Sequence, residues 1–303
     1  MGALPQWGNS LRVFALGGTG VIGSAVVREL VARGHDVVGL VRSEASAARL
    51  TQSGATPLAG DIAAPGRWVA ALPHFDAVSH MACDFASDME AVERRLLDAL
   101  LPALAAQPRR VRFIYTGGCW LFGETGNEAA TEASPFHPLP AFAWMVPHLA
   151  RVLAAPGIDG VVIHPAMVYA GAGGVFGRFA REAVAGGAIR VIGSEAVRWP
   201  LVHSDDLAAL YALALEQARS GESYIGAAVE ALAVGRIARA FAKRYGTVRK
   251  APQIISADAI AAELGEWARG RAFDQCLSGD KARRELGWRP NHLDPLREIA
   301  GLE

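Results

Sequence analysis

Neither sign of charge predominates in this chain: Lys+Arg and Asp+Glu both number 30 in 303 residues, so no basic field suggests nucleic acid and no acidic tail a basic partner. Cysteine is scarce. Cys83, Cys119 and Cys276 show no CxxC or metal-ligand spacing, so no metal is expected, and an odd, sparse count suits a reducing cytosol. Long hydrophobic runs are also missing. No apolar stretch reaches ~18 residues, and the opening MGALPQWGNS has no basic segment followed by an apolar one, which argues against a membrane span and a secretory leader. The expectation is a soluble cytoplasmic protein with a small-molecule substrate and no nucleic-acid or membrane partner.

What is present is a globular core. With 51% hydrophobic residues and 33 glycines, the chain can bury a full α/β interior as one large domain or two intimate ones. Short apolar runs at 11–16, 37–41, 77–80, 111–115 and 161–163 read as strands, while 21–32, 89–104 and 145–155 carry apolar residues at helical spacing. Strands separated by helices of this length imply an α/β fold, a Rossmann-like, doubly wound parallel sheet with right-handed crossovers.

The first strand and helix meet at LGGTGVIGSAVV, which places Gly17, Gly20 and Gly23 at GxxGxxG spacing, with Thr19, Val21 and Ile22 between them. Glycines here let the backbone turn tightly and approach a pyrophosphate, whose charge sits at the helix N-terminus. The second strand ends GLVRSEAS. Val41 occupies the place of the carboxylate that would bind the ribose 2′-OH of NAD, and Arg42 and Ser43 follow it, so NADP is favoured.

These motifs and several further along resemble the extended short-chain dehydrogenase/reductases of the NAD-dependent epimerase/dehydratase type. The resemblance rests also on LAGDI, DAVSHMAC, FIYTGGCWLFG, VVIHPAMVYAG, WPLVHSDDLA and SGDKARRELGWRP, and it spans nearly the whole chain. It implies that Asp61 and Ile62 border the adenine, Ala82 the cofactor ribose, and Pro165 and Val168 the nicotinamide. It also implies a smaller C-terminal substrate-binding part, from 171–199 and 230–303, over a Rossmann domain of 10–170 to which 200–229 returns. A homodimer through the helices at 89–104 and 145–155 is a further implication.

Hydride transfer to a carbonyl leaves an alkoxide that needs a positioned acid. The resemblance implies a Tyr, a Lys four residues later on the same helix face, and a Ser or Thr hydroxyl. In AFAWMVPHLA these give way to Trp144 and His148, and Gly118 takes the hydroxyl position, with Thr116 two residues earlier. Indole N–H donates a hydrogen bond but is no usable acid, whereas His148 can titrate near neutrality or merely contact the cofactor ribose. Pro147 is compatible with a helix if it lies in the first turn. Glu124 and His137 on a nearby loop and Tyr169 at a strand end are other candidates, Tyr169 more as a packed aromatic. His164 replaces an arginine, His80 reads as an ordinary strand-end residue, and His203 with Ser204, Asp205 and Asp206 reads as a helix cap.

Trp120, Phe122, Phe136, Phe142, Trp144 and Trp199 fall in segments resembling the pocket walls, which favours an apolar or aromatic substrate over a nucleotide sugar. Arg178, Arg181 and Arg190 leave phosphate binding open. The leading expectation is an NADP(H)-dependent oxidoreductase with an unorthodox proton donor. A redox-neutral isomerase, cyclase or lyase, and a non-catalytic NADP(H) sensor, are the alternatives.

Overall fold

The computed structural model describes residues 10–248 and 250–302. The opening segment that was read for a leader therefore falls largely outside the described residues. From the N-terminus the elements are β1 (Arg12–Leu16), α1 (Val21–Ala32), β2 (Asp36–Val41), α2 (Glu44–Gln52), β3 (Thr56–Ala59), β4 (Ala77–His80), α3 (Met89–Ala105), β5 (Val111–Thr116), α4 (Met145–Leu153) and β6 (Ile158–Pro165). Then follow β7 (Met167–Ala170), β8 (Gly173–Gly174), α5 (Gly177–Val184), β9 (Arg190–Ile192), β10 (Arg198–His203), α6 (Ser204–Gln217), β11 (Ser223–Gly226), β12 (Val229–Ala233) and α7 (Val234–Arg244). The chain ends with β13 (Gln253–Ile255), α8 (Ala257–Leu264), α9 (Asp280–Leu286) and α10 (Pro295–Ala300).

Seven strands form one parallel sheet in the order β11-β6-β5-β4-β1-β2-β3. Its central strands are nearly continuous apolar runs because helices cover both faces. On one face α3 buries Val92, Leu96, Leu97, Leu100, Leu101 and Leu104, a stripe at three- and four-residue spacing, against Phe14, Val78, Phe113 and Tyr115. On the other face α1 and α6 pack together over Val13, Ala15, Ile114 and Val161. The strand order reverses between β1 and β4, which opens a crevice at the strand C-termini.

The segment after β6 leaves this sheet and supplies β7, β8 and β10 of a second one, returns through α6 and β11, and then adds β12, which completes the order β12-β10-β7-β8. The short 3₁₀ segment Glu266–Ala272, which follows α8, then crosses over the crevice against another at Pro140–Phe142. Pro147 is the third residue of α4, where its missing N–H costs little.

Candidate active site

The glycines of the first turn are held by contact as well as by conformation. Gly17 has φ +81°, and a Cβ there would lie 2.7 Å from the Ala82 nitrogen; a Cβ on Gly23 would lie 2.0 Å from the Gly17 carbonyl oxygen. The turn and β4 thus approach as closely as backbones can, and α1 sits directly on the loop. Gly20 caps α1 without a side-chain hydrogen bond, and no acidic residue stands in the first turn, so the leading N–H groups and the positive end of the helix are free for an anion. This cradle fits a dinucleotide pyrophosphate. The residues are Gly17, Thr19, Gly20, Val21, Ile22 and Gly23, and of these Val21 and Ile22 also line the main cleft.

At the end of β2, Arg42 is exposed and stands 3.8 Å from Asp84, while the Ser43 hydroxyl accepts the Ser46 N–H and caps α2. Asp61 accepts the Ala63 N–H at 2.9 Å, and its carbonyl accepts the Trp68 indole N–H, which fixes the turn that also carries Ile62.

The cleft itself has a volume of about 410 Å³. Its floor is formed by the ends of β4, β5 and β6: His80, Met81, Ala82, Tyr115, Thr116, Gly117, Gly118, Pro165 and, just beyond, Val168. Thr116 is committed to structure, since its hydroxyl lies 2.6 Å from both the His80 carbonyl and the Tyr211 hydroxyl. Gly118 is extended, and a Cβ there would meet nothing within 4 Å, so the cleft is widened where a hydroxyl side chain was sought.

Buried in the same floor is a group that the sequence did not announce. Glu93 on α3 accepts from His80 Nε2 at 3.0 Å on each carboxylate oxygen and from the Tyr115 hydroxyl. Burial alone pushes the Glu93 carboxyl up, but the charge and hydrogen bond of His80, the Tyr115 hydroxyl and the charge of His148 outweigh it, so its pKa lies below the usual range. Burial, then the Glu93 charge, pushes Tyr115 well above the ordinary phenol value. His80 is therefore half of a buried acid–base pair rather than an ordinary strand-end residue.

His148 does not line the cleft. Its ring stands 6.0 Å from that of Trp144, which does. Desolvation lowers the His148 pKa, against the opposing pull of Glu93. The Trp144 indole N–H is used by the Ala141 carbonyl at 2.9 Å. Glu124 and His137 are exposed and outside the lining. Tyr169 is buried, stacks on Phe176 at 4.5 Å and donates to Glu298, the packed aromatic expected of it. His203 accepts the Asp205 N–H and caps α6, also as expected.

The aromatic reading divides. Trp120, Phe142 and Trp144 line the cleft, whereas Phe122 and Phe136 pack on His164, and Trp199 is core against Phe179. Phe85 and Trp267 complete the wall; their rings are 5.0 Å apart, and Trp120 lies 6.2 Å from Trp267. The arginines kept in reserve for phosphate are mostly engaged: Arg178 with Glu182 at 3.0 Å, and Arg190 with Glu182 and Glu263 at 2.7 and 2.6 Å. Among the described residues the arginine that lines the cleft is Arg271, which no sequence pattern singles out.

A parallel, doubly wound sheet with a glycine cradle at its reversal point and a second segment closing over the crevice defines a short-chain dehydrogenase/reductase fold. The chain belongs to the NAD dependent epimerase/dehydratase family, whose model matches residues 13–226. An uncharacterised protein of Schizosaccharomyces pombe is 30% identical over 96% of this chain and 98% of its own length. A 4-hydroxy-2-methyl-3-oxo-4-farnesyl-3,4-dihydroquinoline-1-oxide ketoreductase of Stigmatella aurantiaca is 27% identical over 95% of this chain and 96% of its own. The fold matches a dTDP-glucose 4,6-dehydratase double mutant from Streptomyces venezuelae, solved with NAD, at TM-score 0.80, 22% identity, and coverage of 96% of this chain and 95% of that one.

Proposed function

We propose that the protein is an NADP(H)-dependent oxidoreductase acting on a small apolar or aromatic substrate. The observation that carries this reading is the continuity of the glycine cradle with an aromatic cleft of about 410 Å³ at the strand C-termini. Similarity to a ketoreductase whose named substrate is a ring ketone with an apolar chain supports it. The bound nicotinamide would supply or accept the hydride. Gly17, Gly20 and Gly23 would admit the pyrophosphate, Arg42 and Ser43 would hold the 2′-phosphate, Asp61 and Ile62 would border the adenine, Ala82 the ribose, and Pro165 and Val168 the carboxamide side. Phe142 and Trp144 exclude water from the reacting end, where electrostatic effects then grow.

The proton is assigned to the histidine–carboxylate group. His148, behind Trp144, and the His80–Glu93 pair, in the floor, are coupled through the Glu93 charge. A substrate whose reduced form needs little help from an acid, such as an imine or a conjugated acceptor, suits the missing Tyr and Lys. The buried His80–Glu93 pair also favours one second reading, a redox-neutral isomerase or lyase in which it serves as acid and base. A homodimer through the outer faces of α3 and α4 belongs to the proposal; exposed Glu90, Arg94 and Asp98 would make that contact polar.

The test is a fluorescence titration of NADPH and NADH on the wild type and on Arg42→Ala. NADPH should bind at least about 10-fold tighter, the worth of one charged hydrogen-bonded contact, and the variant should lose most of that preference. Equal affinities in the wild type would overturn the NADP assignment.

A further inference from the structure

Arg271 is a charged side chain in an apolar place, and it has no ion-pair partner among the described residues. Its Nε and Nη1 are shielded from solvent and have no hydrogen-bond partner. Its guanidinium lies 5.6 Å from the centre of the Trp267 ring, and its carbonyl accepts the Trp199 indole N–H at 3.0 Å, which pins the backbone. The charges that act on it are Arg178 and Arg181, cations both, and no carboxylate among the described residues counters them. Burial first, and then these two charges, push its pKa down to about 10. It remains a cation at neutral pH, held where a cation without a counter-ion is unfavourable.

Around it stand Phe85, Trp120, Phe142 and Trp267, all of them lining the same cleft. A cleft of this composition accepts a flat apolar body, and a lone guanidinium in it demands an anion. The planar fork of arginine matches a carboxylate with two parallel hydrogen bonds. A single carboxylate matches the one guanidinium that lines the cleft, since Arg178 is paired with Glu182, Arg190 with Glu182 and Glu263, and Arg198 with Asp274 at 2.6 Å, and Arg181 is exposed outside the lining.

We propose that Arg271 binds the carboxylate of the substrate, so that this cleft takes an aromatic or similarly flat apolar acid, with the ring against Trp120 and Trp267 and the reacting carbon toward Gly118 and Pro165. The inference rests on reading the cleft as the substrate site, and it adds the substrate's charge. Binding of the acid supplies the missing counter-ion, so recognition requires no rearrangement of other ion pairs.

The experiment follows the tryptophan fluorescence of the intact protein, with and without saturating NADPH, as trans-cinnamate, cinnamamide or dTDP is added. Cinnamate and cinnamamide share shape and differ in charge. The wild type should bind cinnamate at least about 10-fold more tightly than cinnamamide, the lower end of what a charge-assisted bond supplies. Arg271→Gln should abolish that preference while its Tm stays equal to or above that of the wild type, since a buried unpaired charge has been removed. Arg271→Lys should retain part of the preference. Equal affinity for cinnamate and cinnamamide in the wild type, no binding of cinnamate up to millimolar concentration, or a preference that survives Arg271→Gln would each overturn the proposal. Tighter binding of dTDP than of cinnamate would overturn the carboxylate in favour of a nucleotide phosphate. Loss of NADPH binding would sink the oxidoreductase reading alone, because the titration without cofactor still reports on Arg271.

Discussion

Replacing Glu93 by Gln measures how far the cleft floor depends on one buried carboxylate. The His80 and Glu93 side chains are 2% and 6% exposed, and the imidazole N–H is shared between two carboxylate oxygens at 3.0 Å each. Deleting one partner of such a pair costs roughly 3–5 kcal/mol. Glutamine keeps the volume and one accepting oxygen but turns an amide donor toward His80 or Tyr115, so about 2–3 kcal/mol is expected. For a chain of this size that is a fall in Tm of about 3–6 °C. The pH dependence has a definite sign. The Glu93 pKa is lowered in the folded protein, so its contribution is present above the unfolded carboxyl value and is lost as pH falls through the folded one. Melting curves by circular dichroism from pH 7.5 downward should therefore show a gap between wild type and Glu93→Gln that is full near neutrality and closes in acid. A gap below 1 °C at neutral pH, or one of constant size across the series, would refute the reasoning.

His164 is buried beside Gly117, with its Nδ1 unpartnered, and burial lowers its pKa to about 4 against a hydrogen bond to the Gly118 backbone. Stability should accordingly fall as pH drops from about 6.5 toward 4, by up to roughly 3 kcal/mol, and His164→Leu should flatten that limb in calorimetric melts. Gly23→Ala should abolish NADPH binding in the fluorescence titration, because its Cβ would lie 2.0 Å from the Gly17 carbonyl, whereas Gly118→Ser, with open space before it, should shift Tm by less than about 1 °C. Once a substrate is found, His148→Ala should lower kcat by ~10²-fold if His148 supplies the proton, and reduction should slow as pH rises through its lowered pKa. An unchanged pH profile would leave the His80–Glu93 pair as the donor.

The sheet and the glycine turn that joins its first strand to α1 were legible because their signals are local. The 21–32 and 77–80 readings coincide with α1 and β4, and the neighbouring strands and helices differ by a few residues at their ends. The glycine turn declares itself by spacing. The reacting end was less legible for the opposite reason. Glu93 lies in VERRLL, where a charged residue reads as the solvated side of a helix, and only the fold turns it inward onto His80 and Tyr115. Arg271 and Trp267 sit in a 3₁₀ segment without periodicity, nearly 120 residues beyond the α4 wall they face, and nothing local marks them as cleft residues. Glu124 follows β5 closely in the chain, which suggests a place in the site, but the loop carries it outward to solvent.

The outermost strand of the parallel sheet, β11, is supplied by residues 223–226, after an excursion that begins at β7. Until that stretch has been synthesised, the nascent chain presents β6 as a bare edge: eight residues long, IDGVVIHP, with apolar side chains and unpaired backbone groups. Such an edge is a template for pairing with another chain. Fragments that stop short of residue 226 should therefore aggregate more readily than the full chain, in which β11 docks along Val162–Pro165 and covers that half of the edge.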